Sequence, residues 1–415
     1  MGPGSSPGRV SARYAHRLTV APPPRILDRF PAPWFTPGVE HKQNIPYEGH
    51  GFDMSAKAAP GQIRGRGARS NRSGRFEQEE RVWADDGWGG PDEWRDGSGA
   101  ARTTETRDAT RKIIARNTSP DISFDRSINP YRGCEHGCIY CFARPTHAFL
   151  GMSPGIDFET RLLFKPDAAL LLEKELRAKS YECRTIAIGT NTDPYQPIER
   201  RRRITREVLK VLARFNHPVG IVTKSDLVVR DIDILAPMAA KGLAKVALSV
   251  TTLDRALARS MEPRASTPEK RLQAIRELAD AGIPAAVMAA PMIPSLNEPE
   301  MEAILERAAA AGATEAGYIL LRLPLEIAGL FREWLETETP DRASRIMKLI
   351  RDMRGGRDYD SAFGMRMSGT GPYAEMMGRR FRIATRRLGL NKRRLLLDPT
   401  QFTVPSAPGD QLKLF

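Results

Sequence analysis

The sequence predicts an α/β fold, either a three-quarter (β/α) barrel or a doubly wound sheet, on three observations. From about residue 120, short apolar runs alternate with longer segments of helical period, the pattern of repeated βα units. Six such units follow one another, and right-handed crossovers leave few other topologies. Ala281-Gly282-Ile283-Pro284 sets a helix stop directly before a strand. In either architecture chemistry sits beyond the carboxyl ends of the strands.

Taken in order, residues 1–110 read as a flexible Arg-, Gly- and Pro-rich arm. Pro22-Pro23-Pro24, GRGARSNRSGR (65–75) and WADDGWGGPDEWRDGSG (83–99) sustain no period of 2 or 3.6, and Trp83, Trp88 and Trp94 are aromatics able to dock on a folded body. The competing reading of 64–77 is phosphate contact through five arginines set among Gly and Ser. The barrel is expected over 111–330, with strands at 127–130, 184–190, 219–223, 245–250, 285–290 and 318–323 and helices at 167–179, 204–214, 231–241, 267–281 and 298–311. A helical extension follows over 331–398, with helices at 341–353 and 373–388, and then a tail over 399–415. In the last helix Met377, Phe381, Ala384 and Leu388 make an apolar face, while Arg379, Arg382 and Arg386 mark another. No acid interrupts 379–397, so that face is either simply solvated or a nucleic-acid contact.

Of the 415 residues, 41% are hydrophobic and 27% charged, as in soluble globular proteins. No stretch approaches the roughly 20 apolar residues of a membrane span. The N-terminus lacks the apolar core of a secretory signal, so the cytoplasm is the expected location. A formal charge of +14 favours a polyanionic partner such as nucleic acid.

Three of the four cysteines, Cys134, Cys138 and Cys141, fall within NPYRGCEHGCIYCFARP (129–145). Clustered thiols in a chain of this type point to metal more than to a disulfide framework. A Cys-x3-Cys-x2-Cys run can wrap three corners of a [4Fe–4S] cubane, leaving one iron without a protein ligand and therefore open. Gly133 and Gly137 permit the loop. A zinc site completed by His136 or His147, and a buried structural set, are the other readings. Cys183 precedes the second strand and is expected at the opposite end of the barrel, as a packed thiol.

This motif, with aromatic Tyr140 before the third cysteine and a βα series behind it, resembles the radical S-adenosylmethionine (SAM) superfamily. The stretch from about 110 to 390 is similar to the bacterial radical SAM proteins grouped with spore photoproduct lyase-like "DNA repair photolyases". The resemblance implies a partial (β/α)6 TIM-like barrel, a [4Fe–4S] cluster on Cys134, Cys138 and Cys141, and SAM chelated to the open iron. It also implies reductive cleavage of SAM to a 5′-deoxyadenosyl radical that abstracts hydrogen from a substrate. On the same basis Tyr140, Thr190, Asn191, Thr192, Asp193, Lys224, Ser249 and Pro291 are the expected SAM contacts, with Lys224 on the SAM carboxylate, and a flavodoxin or ferredoxin is the expected reductant. Spore photoproduct lyase ends its second strand with a hydrogen-returning cysteine. Thr190 stands at the matching position here, and Tyr131, Tyr195 and Tyr373 are the alternative hydrogen donors.

The final QLKLF resembles the peptide by which bacterial replication and repair proteins bind the DNA sliding clamp, with Gln411, Leu412, Leu414 and Phe415 as the contacts. The expected function is thus a radical SAM enzyme acting on DNA, in repair or base modification. The alternatives are a radical SAM enzyme on another substrate, or a non-catalytic iron–sulfur module that binds DNA and the clamp.

Overall fold

A computed structural model describes residues 65–77, 101–393 and 395–406. In chain order the first elements are β1 (Thr104–Arg107), β2 (Ile114–Arg116), β3 (Arg126–Ile128), β4 (Tyr131–Arg132), α1 (Ile156–Thr160), β5 (Arg161–Phe164) and α2 (Ala168–Leu176). Then come β6 (Ile186–Ile188), α3 (Glu199–Arg202), α4 (Ile204–Arg214), β7 (Val219–Thr223), α5 (Ile232–Ala240) and β8 (Ala244–Ser249). The chain continues through α6 (Arg255–Met261), α7 (Pro268–Asp280), β9 (Ala285–Met292), α8 (Met301–Ala310) and β10 (Glu315–Leu320). Three further helices are α9 (Ile327–Glu338), α10 (Pro340–Asp352) and α11 (Gly371–Leu388).

Strand order decides between the two expected architectures. The main sheet runs β2-β3-β6-β7-β8-β9-β10, and from β3 to β10 every neighbour is parallel. An order that never reverses puts successive right-handed crossovers on one face, which curls the sheet into a partial (β/α)6 barrel. A doubly wound sheet would reverse its order at a switch point. Antiparallel β2 caps the first edge, and β1, β5 and β4 form a small separate sheet.

The local chemistry of these units is ordinary. In α4, Ile204, Val208, Leu209, Val211 and Leu212 are buried, one stripe at helical spacing. Helix α7 starts at Thr267, whose side chain accepts the Lys270 amide, with Pro268 in the first turn. The main core lies between sheet and helices around Ile188, Ile221, Leu248 and Val287. A second core joins Ile139 and Tyr140 of the cysteine loop to Phe331 and Trp334 of α9 and to Ile346 and Ile350 of α10.

That second core corrects the expected organisation. The boundary between 330 and 331 falls inside α9, which is built into the wall of the cysteine loop. Within the expected arm, Arg66, Gly67, Ala68, Arg69 and Asn71 are buried, and Thr104–Arg107 is a strand. Residues 399–406 are docked as well: the Thr403 amide donates to the Phe215 carbonyl at 3.0 Å and Phe402 packs against Tyr181, Phe215 and His217. The remainder of the arm, including Trp83, Trp88 and Trp94, and the QLKLF peptide lie outside the described residues.

Candidate active site

The loop from Cys134 to Cys141 has no regular structure, so its backbone groups need other partners. The Cys134 amide donates to the Phe158 carbonyl at 2.9 Å, that of Ile139 to Met261 at 3.0 Å, and that of Glu135 to the Gln196 side chain at 2.9 Å. Fully buried Arg144 spends all its donors on this region. Nε reaches the Cys138 carbonyl, Nη1 the Pro154 and Gly155 carbonyls, and Nη2 the Gly137 carbonyl and the Glu159 carboxylate. Glu159 also accepts the amides of Gly67 and Ala68, at 3.0 and 2.8 Å. The segment before the barrel therefore closes over the back of the cysteine loop. It does so backbone to backbone: a Cβ on Gly67 would lie 1.9 Å from the Gly137 carbonyl oxygen. Gly137 itself has φ of +68°, and a Cβ there would meet Glu159 at 2.7 Å.

In front of the loop, one cavity is lined by Cys134, Cys138 and Cys141 together with the ends of successive parallel strands. Strand β6 brings Gly189, Thr190, Asn191 and Asp193; β7 brings Thr223 and Lys224; β8 brings Ser249; β9 brings Met288 and Pro291. Asp193 is the organiser. Its carboxylate accepts from the Thr223 hydroxyl and the Lys224 amide, both at 2.7 Å, with His136 at 3.4 Å. Burial opposes its charge, yet His136 and these donors outweigh burial and hold the carboxyl down to about 2. The Lys224 ammonium lies 3.2 Å from the Ser249 hydroxyl and 5.7 Å from the centre of the Tyr140 ring, and among the described residues it has no carboxylate partner. The Tyr140 hydroxyl is tied to buried Glu262, which pairs with buried Arg271.

The profile of the Radical SAM superfamily matches residues 128–308. An uncharacterized protein of Mycobacterium tuberculosis is 39% identical over 232 residues, which cover 55% of this chain and 68% of that one. This chain belongs to the radical SAM superfamily. It is a radical SAM enzyme, and its cofactors are a [4Fe–4S] cluster and SAM. An uncharacterized protein of Methanocaldococcus jannaschii is 30% identical over 173 residues, covering 42% of this chain and 62% of its own. Among solved structures, spore photoproduct lyase complexed with dinucleoside spore photoproduct matches with a TM-score of 0.50 and 17% identity. That match covers 75% of this chain and 86% of the lyase, a likeness of fold.

The cavity fits what a radical SAM enzyme must hold. Burial, followed by neighbouring charges, pushes the free thiols up, most strongly at Cys134 and Cys138. Thiolates there need a cationic partner, and iron supplies one. Among the described residues no three His, Cys, Asp or Glu side chains gather around a single ion.

Of the expected SAM contacts, Tyr140, Thr190, Asn191, Asp193, Lys224, Ser249 and Pro291 line the cavity. Thr192 does not: it is buried, and its hydroxyl donates to the Tyr131 carbonyl at 2.8 Å, a loop-holding bond. The three tyrosines weighed as hydrogen donors are also outside it. Tyr131 bonds Glu199, Tyr195 bonds Asp231 at 3.1 Å and Tyr373 bonds Glu298 at 3.1 Å. His136 lines the cavity, whereas His147 is held by the Arg161 carbonyl and Cys183 lies away from it. Sequence reasoning missed Arg144, Glu159, Glu262 and Arg271, whose pairings span loops with no local pattern, and Arg322 at the end of the last strand.

Proposed function

We propose that Cys134, Cys138 and Cys141 ligate three irons of the cluster and that the strand-end residues of the same cavity bind SAM. The observation that supports this most is the meeting in one cavity of three thiols, the Asp193-ordered loop and the Lys224 ammonium, which has no carboxylate partner among the described residues. When bound, the cluster would supply the electron for reductive cleavage of SAM to methionine and a hydrogen-abstracting 5′-deoxyadenosyl radical. The chain's own residues do the positioning. Lys224 takes the SAM carboxylate as a charge-assisted pair. Ser249 and Asn191 offer polar contacts, while Val222, Met288, Pro291 and Ile319 exclude water from the reacting region. Asp193 acts through Lys224 and Thr223, fixing the strand ends on which both stand.

The substrate in this reading is nucleic acid, in DNA repair or base modification. Arg379, Arg382 and Arg386 support it: all three are exposed on one face of α11 and, among the described residues, none has an acidic partner. A sliding-clamp contact through Gln411, Leu412, Leu414 and Phe415, a flavodoxin or ferredoxin reductant and a cytoplasmic location complete the proposal. Thr190 cannot return hydrogen as a thiol does, so thymine-dimer reversal by the lyase route is not part of it. A non-nucleic substrate is the second reading.

The test is 5′-deoxyadenosine formation by anaerobically reconstituted protein with dithionite and SAM. Product is expected from the wild type and not from Cys138→Ala. Absence of product from protein carrying a spectroscopically verified four-iron cluster sinks the assignment of this site. Turnover that added single- or double-stranded DNA leaves unchanged favours the non-nucleic substrate.

A further inference from the structure

Besides the thiols and His136, three formally charged side chains line the cavity: Asp193, Lys224 and Arg322. Asp193 is committed to Thr223, the Lys224 amide, the Tyr195 amide and His136. SAM brings one carboxylate, which the reading above gives to Lys224. One cation is left over.

Arg322 follows β10. Its guanidinium lies 4.8 Å from the centre of the Phe142 ring and 6.0 Å from that of Tyr359. One Nη donates to the Tyr359 hydroxyl at 3.3 Å, and the other reaches only the Met367 thioether at 3.7 Å. Among the described residues its buried Nε has no partner and no carboxylate pairs with the guanidinium. A buried donor left unpaired is costly, and a guanidinium packed on aromatic rings keeps its plane fixed with its edge donors aimed. Phe142, the residue after Cys141, also lines the cavity and is 42% exposed, which gives an aromatic surface beside a cluster ligand.

We propose that Arg322 anchors the substrate through an oxyanion, and that Arg322 and Phe142 together form a subsite for a phosphodiester and its adjoining base. The fork of the guanidinium suits two oxygens of one phosphate, and base–aromatic stacking is indifferent to sequence. This inference rests on the nucleic-acid reading above and names the group that reading requires in the cavity wall.

The experiment uses the full chain with its cluster. Binding of a fluorescent six-nucleotide single strand is measured at about 0.3 M salt, where screening suppresses exposed contacts. A methylphosphonate strand of the same sequence, with neutral linkages, is the comparison, and SAM affinity is measured in parallel. Arg322→Gln is expected to weaken the phosphodiester strand about tenfold or more, to bind the neutral strand as the wild type does, and to keep its SAM affinity. Phe142→Ala is expected to weaken both strands alike, which keeps the subsite testable if the arginine variant folds poorly. Unchanged binding by Arg322→Gln overturns the proposal alone, and an equal loss of SAM affinity overturns it by assigning the guanidinium to the cosubstrate. A wild type that binds neither strand overturns it together with the nucleic-acid reading.

Discussion

Two arginine-rich stretches look alike in the sequence and behave in opposite ways in the structure. In residues 65–75 every described arginine finds a partner, with Arg66 and Arg69 buried and Arg72 and Arg75 exposed but paired. Arg66 is buried and donates to the carbonyls of Glu159 and Ala101 and to the Thr103 hydroxyl, while Arg69, Arg72 and Arg75 pair with Glu338, Glu333 and Glu326 of α9 and its N-terminal flank. In α11 the charges divide. Arg380 and Arg387 are tied to Glu298, Glu302 and Glu306, but Arg379, Arg382 and Arg386 are exposed and unpaired among the described residues. A run of arginines is therefore not a ligand footprint by itself. What decides is whether acids elsewhere in the fold arrive to meet it, and for 65–75 they come from a helix more than 250 residues downstream.

The strongest way to break the comparison is to wedge the paired stretch off its seat. Gly67→Val places carbon where the Gly137 carbonyl oxygen stands, 1.9 Å from the new Cβ, against backbone that cannot rotate away. The expected cost is about 3 kcal/mol, in the range of severe overpacking. Because Gly137 lies between Cys134 and Cys138, two of the cysteines proposed as cluster ligands, the damage should also appear as low iron and sulfide per chain after reconstitution. Full cluster loading and an unchanged melting temperature would show that the segment merely rests on the loop.

The unpaired arginines of α11 should respond in another way. Replacing Arg379, Arg382 and Arg386 together by Gln should leave folding and cluster content intact and weaken single-strand binding at low salt. It should also flatten the slope of log K against log salt by about 2, three phosphate contacts at roughly 0.7 each. The matching pair in the other region, Arg72→Gln with Arg75→Gln, should leave that slope alone. Equal changes of slope in both variants would erase the distinction.

The same contrast explains what was legible in the sequence. Strand Val219–Thr223 and helix Ile204–Arg214 stand where hydrophobic period and turn residues put them, because their burial is carried by side chains. The cavity residues were legible because parallel strands deliver their carboxyl ends to one rim. Segment 65–77 was not, because it is held by backbone amides, glycine and buried arginine, which leave no apolar pattern. Helix α9 did carry the signal: Ile327, Leu330, Phe331, Trp334 and Leu335 recur at helical spacing, and attention to that period would have found it. Glu262 and Arg271, nine residues apart and fully buried, could be recognised as a pair only once α6 and α7 were placed.

The smallest predicted effect concerns Glu333, an acid that meets the paired arginines of 65–75. Burial raises the Glu333 carboxyl above its usual 4.5, only partly offset by the Ser70 hydroxyl, at 2.7 Å, and by Arg72. A carboxyl whose folded value exceeds its unfolded one holds more protons folded than unfolded in the window just above 4.5. Its contribution to stability therefore falls as pH rises through that window, opposite in sign to Asp193, which gains stability as pH rises from about 2 toward its ordinary value of 3.8. The melting temperature of Glu333→Gln relative to wild type should accordingly improve between pH 4.5 and 7, since glutamine keeps an acceptor for Ser70 without the buried charge. A difference that runs the other way would mean that the ion pair with Arg72 outweighs burial, making the paired region as much an electrostatic device as the unpaired one.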